Sequence, residues 1–257
     1  MNKPHVKTLT YRVLPAANVD YDRASSIEVE KPEFTVVVDS EKAVFTMKLH
    51  YSSEQEARDI VDEFLRAWEM AIGLDIQPGD LSFEFDCVDI VDLSPDESAS
   101  NELNIHSTSQ VQVSDNVTLH VSRAEIPQPP KRFKINPDVE TMYNRYKGYL
   151  AGREGLLSMA YLCLTIIEAG SGGRGNAAKN YNISKKVLDK LGALVSERGG
   201  PEEARKMPRS GYYDPLSGIE RNWVIKAIKL IIKRVGECGN GDVKDLPKIS
   251  LDMLPSL

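Results

Sequence analysis

A proline-rich stretch divides this sequence into two parts with different periodicities. The residues Ile126-Pro127-Gln128-Pro129-Pro130 have the composition of an extended, stiff spacer. Before this stretch, apolar residues mostly alternate with polar ones, as they do in strands. After it, every long periodic segment has helical spacing. We therefore expect the fold class α+β, with a mainly antiparallel sheet and one helix followed by an all-α helical bundle.

The two parts carry opposite charge. Residues 1–130 contain 10 Lys and Arg against 24 Asp and Glu, a net charge of −14. Residues 131–257 contain 22 against 14, a net charge of +8, and together they account for the total of −6. Such asymmetry is typical of separate units, one of which prefers an anionic partner. The predicted organisation is an acidic α+β domain at 1–126, a linker at 127–137, a basic helical bundle at 138–239 and a tail at 240–257.

The composition is that of a globular protein in a reducing compartment. Its hydrophobic fraction of 41% and charged fraction of 27% are close to globular averages. Cys87, Cys163 and Cys238 are far apart, which argues against a disulfide framework and a thiolate zinc site. Residues 1–11 lack a signal-peptide core, and the apolar stretch Leu156–Ile167 is too short to span a bilayer. We expect a cytoplasmic protein with no metal, no cofactor and no membrane partner.

In the acidic part, one amphipathic helix interrupts the strands. Ser53 and Glu56 match a capping box, and Gly73 is a plausible helix stop. Between them, apolar residues recur at helical spacing: Ile60, Val61, Phe64, Leu65, Trp68 and Ile72. The predicted strands are 9–13, 33–39, 43–51, 81–93 and 117–121, with a surface loop at 94–110.

The basic part begins with a predicted N-cap at Asn136 and Pro137 at the first helical position. The helix that follows is expected to run to about Ala169 as the central helix of the bundle. The glycine cluster 170–175 breaks it, and the remaining predicted helices are 177–181, 184–197, 201–207 and 218–236.

The last predicted helix has a row of basic residues beside its buried stripe. The stripe consists of Val224, Ile228, Ile231 and Val235. A different face, with Arg221 beside its start, carries Asn222, Lys226, Lys229 and Lys233. Amines on a rigid helix suit phosphate oxygens, because affinity then comes from counterion release. The alternative interpretation is an ordinary solvated helix face.

Residues 177–191 resemble the helix-turn-helix pattern. Ala178 would pack inside the first helix, and Asn182 would occupy the left-handed turn. Leu188 and Leu191 would anchor the second helix. The lysines of that second helix would then face the groove of DNA: Lys185, Lys186 and Lys190. The alternative is a tight turn between two bundle helices, which is common in any bundle.

The basic part, roughly residues 136–239, resembles the HEPN helical bundles. Ribonuclease members of that family carry an Arg, often followed by Asn, with a His five positions after the Arg. Arg221 and Asn222 fit this pattern, but Lys226 replaces the His, and no histidine follows His120. A lysine near its ordinary pKa can hold a phosphate but is a poor general base at pH 7. The resemblance implies a degenerate member that binds without cutting.

The sequence therefore predicts a non-catalytic binding or regulatory protein. Its basic bundle would contact RNA, DNA or the acidic surface of a protein through the residues singled out above. One alternative is a HEPN-like ribonuclease acting through Arg221 and Asn222. Another is a structural protein in which the oppositely charged domains clamp together or pair subunits. The glycine cluster lacks the ending of a phosphate loop, and the histidines lack metal-ligand spacing.

Overall fold

The computed structural model describes residues 3–93, 105–106, 121–199, 214–240 and 243–257. The fold is α+β, as predicted, with a sheet and one helix followed by several helices. The chain divides into two compact units, 1–130 and 131–257, which we call the acidic unit and the basic unit. The division falls inside the stretch predicted as a linker. The predicted helix 201–207 and the positions Val117 and Leu119 lie outside the described residues, as does most of the predicted loop 94–110.

The acidic unit is built on a sheet with a central first strand. Its strands are β1 Pro4–Pro15, β2 Val19–Asp20, β3 Ile27–Glu30, β4 Phe34–Val38, β5 Lys42–Met47, β6 Leu81–Asp92, β7 Ile105–His106 and β8 Val121–Ser122. Six of them pair antiparallel in the order β3-β4-β5-β1-β6-β7, while β2 and β8 form a short parallel pair. In β1, Leu9 lies opposite Phe45 of β5 and Val88 of β6.

One helix, α1 Glu54–Asp75, packs against this sheet. Ser53 is its N-cap, and the Ser53 side chain accepts a hydrogen bond from the Glu56 amide. The Glu56 carboxylate accepts from the amide of Ser52 rather than Ser53, so the predicted capping box is displaced by one residue. The helix also continues past Gly73, the predicted stop, to Asp75, and Gly73 is buried in its last turn.

The core of the acidic unit is a cluster of aromatic rings. Phe34, Phe45 and Phe64 meet edge to face, with ring centroids 5.1 to 6.2 Å apart. Trp68 continues the cluster towards Phe83, and its indole nitrogen donates to the Pro127 carbonyl at 3.0 Å. Edge-to-face contacts of this kind add to the stabilisation from burial alone.

Two of the predicted strands do not keep regular alternation over their whole predicted length. Strand β5 stops at Met47, and Leu49 beyond it is 51% exposed. In β6, the register against β1 shifts at a bulge, so that Thr10 faces Cys87 while Tyr11 faces Phe85. Asp86 is the extra residue of β6 at this bulge. Because a shift of one residue exchanges the two faces of a strand, the buried position after the bulge is Val88 instead of Cys87.

Within its described residues, the basic unit contains five α-helices: α2 Pro137–Leu150, α3 Leu156–Ser171, α4 Arg174–Asn180, α5 Lys185–Glu197 and α6 Gly218–Glu237. Asn136 caps α2, as predicted, by accepting from the Val139 amide. The predicted single helix to Ala169 is wrong, because Gly152 adopts a left-handed backbone and Gly155 caps α3. Helix α3 is nevertheless central and packs against the other four helices.

No single helix among the described residues is long and apolar enough to cross a membrane. Helices α3 and α4 satisfy that test of length and composition only as a pair, and the pair is bent by 83°.

Candidate functional site

Helix α6 carries the predicted lysine row and begins with a complete capping box. The Ser217 hydroxyl accepts from the Glu220 amide, and the Glu220 carboxylate accepts from the Ser217 amide. These reciprocal bonds satisfy two amide groups that a helix start otherwise leaves unpaired. Hydrogen bonds between neighbouring residues therefore stabilise the first turn of α6.

Most of the circumference of α6 is buried. The predicted stripe is confirmed, since Val224, Ile228, Ile231 and Val235 are all at most 3% exposed. The other buried residues of the helix are Trp223, Ala227, Ile232, Arg234 and Gly236. A helix held on so many sides has little freedom to rotate, so its remaining exposed side chains have a defined direction.

The predicted basic row occupies the open side of α6. Asn222 and Lys226 are exposed, and Lys229 and Lys233 are half-buried. With 3.6 residues per turn, these four positions fall within an arc of about 60° and extend over roughly 16 Å. We call them the lysine strip. Arg221 is half-buried and lies outside that arc.

Both carboxylates of α6 form ion pairs with arginines. Glu220 accepts from Ser217 and forms an ion pair with Arg198 at 2.8 Å. Glu237 forms an ion pair with Arg234 at 3.2 Å. Lys226 has no ion-pair partner within the described part of the chain. The lysine strip thus places three amines, those of Lys226, Lys229 and Lys233, on one side of the helix.

The local geometry of the helix-turn-helix pattern is present at α4 and α5. Asn182 is left-handed, with φ 47°, and Ala178, Leu188 and Leu191 are buried. However, α4 has only seven residues. The backbone at the start of α5 is also paired with the segment 243–257: the Ser184 amide donates to the Ile249 carbonyl at 2.7 Å. We call residues 243–257 the C-terminal segment.

The three lysines of α5 do not form a single row. Lys185 and Lys190 are about 140° apart around the helix. Lys185 forms an ion pair with Asp189 at 2.8 Å, and Asp189 also accepts from Arg174 at 3.4 Å. The hydrogen bond from Lys185 lowers the pKa of Asp189. Lys186 and Lys190 are exposed, and neither has an ion-pair partner among the residues described. This arrangement gives little support to the prediction that α5 lies in a groove of DNA and contacts its bases.

Arg234 is an organising residue that the sequence analysis missed. It is 3% exposed, and its guanidinium donates to the carbonyls of Tyr181, Asn182 and Pro247 at 2.6 to 3.1 Å. It thereby joins α6, the turn before α5 and the C-terminal segment. The only sequence signal was a charged residue beside the buried stripe, and nothing local identifies its distant acceptors.

A cavity of about 440 Å³ was also missed. Helix α5 contributes Lys190 and helix α6 contributes Trp223. The C-terminal segment supplies the other lining residues: Leu251, Asp252, Pro255, Ser256 and Leu257. Because these residues come from three places in the chain, no local pattern could have revealed the cavity.

Among the residues that the structure describes, the other reactive side chains form no comparable site. No cluster of three or more His, Cys, Asp or Glu side chains in the described ranges could hold a metal ion. His5 stacks on His50, with ring centroids 5.3 Å apart, and burial lowers the pKa of His5, with a further contribution from His50. Cys163 is buried, which raises the pKa of its thiol to about 12.

The comparisons with known proteins found no matching family model, no matching curated protein and no matching solved structure. The resemblance to HEPN bundles therefore rests on Arg221, Asn222 and their spacing to position 226, where Lys226 stands in place of the motif histidine.

Proposed function

We propose that this protein binds nucleic acid without cleaving it, through the lysine strip of the basic unit. The observation that carries the proposal is the contrast between the two sides of α6. Nine residues of this helix are buried, while the open arc carries Asn222, Lys226, Lys229 and Lys233. A helix fixed in this way holds its amines in a row instead of leaving them dispersed.

The spacing of the row suits a phosphate backbone. Successive lysines rise by about 4.5 and 6 Å along the helix axis, and flexible side chains can adjust these distances to a strand. The net charge of +8 over residues 131–257 would attract a polyanion before contact is made. No histidine occurs in this unit, so the usual general base of neutral pH is absent from its sequence.

The salt dependence of binding tests this proposal. A labelled oligonucleotide is titrated with the protein at increasing salt concentrations. If the three lysines each neutralise a phosphate, the logarithm of affinity should fall with the logarithm of salt with a slope of about −2 for a single strand. The change Lys226→Gln should make the slope shallower by about 0.7.

A matched control is available in the same unit. Lys179 is an exposed lysine of α4, and Lys179→Gln removes the same charge away from the strip. We expect this control to leave the slope unchanged. If the protein does not bind at low salt, or if both substitutions have the same effect, the proposal fails.

Incubation with labelled RNA separates binding from cleavage. We expect the wild-type protein to leave the RNA intact. Cleavage that disappears in Arg221→Ala would instead favour the ribonuclease, because Arg221 is the residue that the HEPN resemblance places in catalysis.

A further inference from the structure

A backbone hydrogen bond in the acidic unit joins the start of β1 to the chain that leads into α1. The Val6 amide donates to the Tyr51 carbonyl at 3.0 Å. Val6 is fully buried and lies in an inner strand of the sheet, whereas Tyr51 precedes Ser53, the N-cap of α1, by two residues. The bond therefore connects the sheet to the entry of its helix.

Two histidines flank this bond. His5 directly precedes Val6, and His50 directly precedes Tyr51. Their rings stack with centroids 5.3 Å apart and planes inclined by 24°. We call the two histidines and the bond between their neighbours the histidine clasp. Because the rings are next to the bond, a charge on them acts directly on this connection.

The surroundings of His5 favour its neutral form. The Nδ1 atom of His5 is buried and has no hydrogen-bond partner among the described residues. A neutral imidazole can leave this nitrogen without a proton, but a charged imidazole carries a proton on both nitrogens. The proton on Nδ1 would then be a buried donor without an acceptor, which is unfavourable.

A positive charge on His50 also opposes one on His5. The Glu56 carboxylate of α1, which accepts from the Ser52 hydroxyl at 2.9 Å, interacts with the charge of His50. It supports a charge on this exposed ring, and two charged rings 5.3 Å apart repel each other. Burial, followed by the interaction with His50, lowers the pKa of His5 from its ordinary value of 6.5.

The strands beside the clasp carry charged groups that have partners of their own. In β6, Asp92 accepts from the Lys3 amide at 2.9 Å, and Asp89 forms an ion pair with Lys7 at 3.8 Å. Lys48, which follows β5, forms an ion pair with a glutamate of β3 at 2.8 Å. Within the described residues, the charge that acts on the half-buried histidine is that of the second histidine.

We propose that the histidine clasp is released by acid: when both rings are charged, the start of β1 separates from the entry to α1. The release is a local opening, because β1 also pairs with β5 and β6 along the rest of its length. Histidine suits such a switch, since it changes charge between about pH 5 and pH 8. The inference is independent of nucleic-acid binding by the basic unit, because both histidines belong to the acidic unit.

Hydrogen exchange of single amides in the full-length protein, followed by NMR, tests this release. A histidine with a lowered pKa binds fewer protons in the closed form than in the open form, so the closed form loses stability as pH falls below 6.5. After correction for the intrinsic exchange rate, the protection of the Val6 amide should fall between about pH 7.5 and about pH 5. The Val13 amide, which donates to the Glu41 carbonyl further along β1, should stay more protected than Val6 at the lower pH.

Three substitutions assign the effect to the histidines. His5→Phe keeps an aromatic ring in the stack but cannot be charged, so the fall in Val6 protection should be lost. His50→Gln removes the repulsion but leaves Nδ1 of His5 buried, so it should reduce the fall without abolishing it. Lys48→Gln is the control, because it removes a positive charge two residues from His50 and should preserve the fall.

Titration of the His5 ring in the wild-type protein, followed by NMR, does not depend on a variant that folds. We expect a midpoint below 6.5. A midpoint at or above 6.5, a fall in protection that persists in His5→Phe, or equal protection of Val6 and Val13 at the lower pH would overturn the proposal.

Discussion

Single residues connect parts of the basic unit that are distant in sequence. Arg234 is the clearest case, because its guanidinium donates hydrogen bonds to the carbonyls of Tyr181, Asn182 and Pro247. Asn182 adds a second connection by donating from its side chain to the Leu246 carbonyl at 2.8 Å. The position of the C-terminal segment thus depends on two polar side chains rather than on apolar packing alone.

The change Arg234→Met tests the first connection. Methionine fills similar space but leaves buried carbonyls without their charged donor, so we expect a loss of about 3 kcal/mol in the free energy of unfolding. Arg153→Met, at an exposed arginine before α3, should change stability by less than about 0.5 kcal/mol. Urea unfolding followed by circular dichroism measures both, and equal effects would contradict the role of Arg234.

Substitutions at Asn182 separate its backbone role from its hydrogen bond. Both Asn182→Gly and Asn182→Ala remove the bond to Leu246, but only alanine is strained at a φ of 47°. The alanine variant should therefore be less stable than the glycine variant by about 1 kcal/mol. Equal thermal midpoints for the glycine and alanine variants would show that residue 182 does not adopt a left-handed backbone in the folded protein.

Among the elements, α6 is anchored at both ends. Its start is fixed by the capping box at Ser217 and by Arg198. Its end is fixed by Phe133, which packs against Gly236, and by the Lys134 amide, which donates to the Gly236 carbonyl at 2.9 Å. The direction of the lysine strip follows from these two anchored ends.

The close approach of Phe133 predicts that Gly236→Ala is destabilising. A Cβ at this position would lie under 3.0 Å from the Phe133 ring, so the ring or the helix must move. We expect a cost of about 1–3 kcal/mol, as for other overpacked sites. Gly170→Ala in α3 is the opposite control: it meets no atom within 4 Å and should stabilise the helix by up to about 1 kcal/mol. Thermal unfolding of both variants measures the contrast.

The capping box gives α6 a predictable pH dependence. The hydrogen bond from the Ser217 amide, with contributions from its hydroxyl and Arg198, lowers the pKa of Glu220 below 4.5. A lowered carboxylate pKa stabilises the fold above the unfolded value, and this stabilisation is lost as pH falls through the folded value. Wild type should therefore exceed Glu220→Gln in stability at neutral pH, and the difference should shrink as pH falls below 4.5. A difference that is constant with pH would contradict this assignment.

At the scale of the whole molecule, the chain consists of two units with opposite charge and separate cores. The aromatic cluster around Trp68 belongs to the acidic unit, and the apolar stripe of α6 belongs to the basic unit. Each unit is of a size that folds as an independent domain. Because their net charges are opposite, the two units can be separated from each other by ion exchange.

Expression of residues 1–130 and 131–257 as two chains tests this independence. Each should give a cooperative thermal transition by circular dichroism, because each contains its own core. Nucleic-acid binding should stay with the 131–257 chain. A chain without a cooperative transition would show that its fold requires the other unit.

The amino-acid sequence by itself determined the α+β class, the caps at Ser53, Asn136 and Ser217, and the buried stripe of α6. These features depend on residues a few positions apart, where spacing and side-chain chemistry act directly on the local backbone. The left-handed turn at Asn182 belongs to the same class.

Only the tertiary structure decided which distant groups meet. The bulge in β6 depends on its pairing with β1. The break between α2 and α3, by contrast, coincides with Gly152 and Gly155, a local signal that the periodicity of the flanking residues concealed. The acceptors of Arg234 and the walls of the cavity are separated by tens of residues in the chain. Periodicity carries no information about such contacts, because they arise only when helices pack at particular angles and bring their faces together.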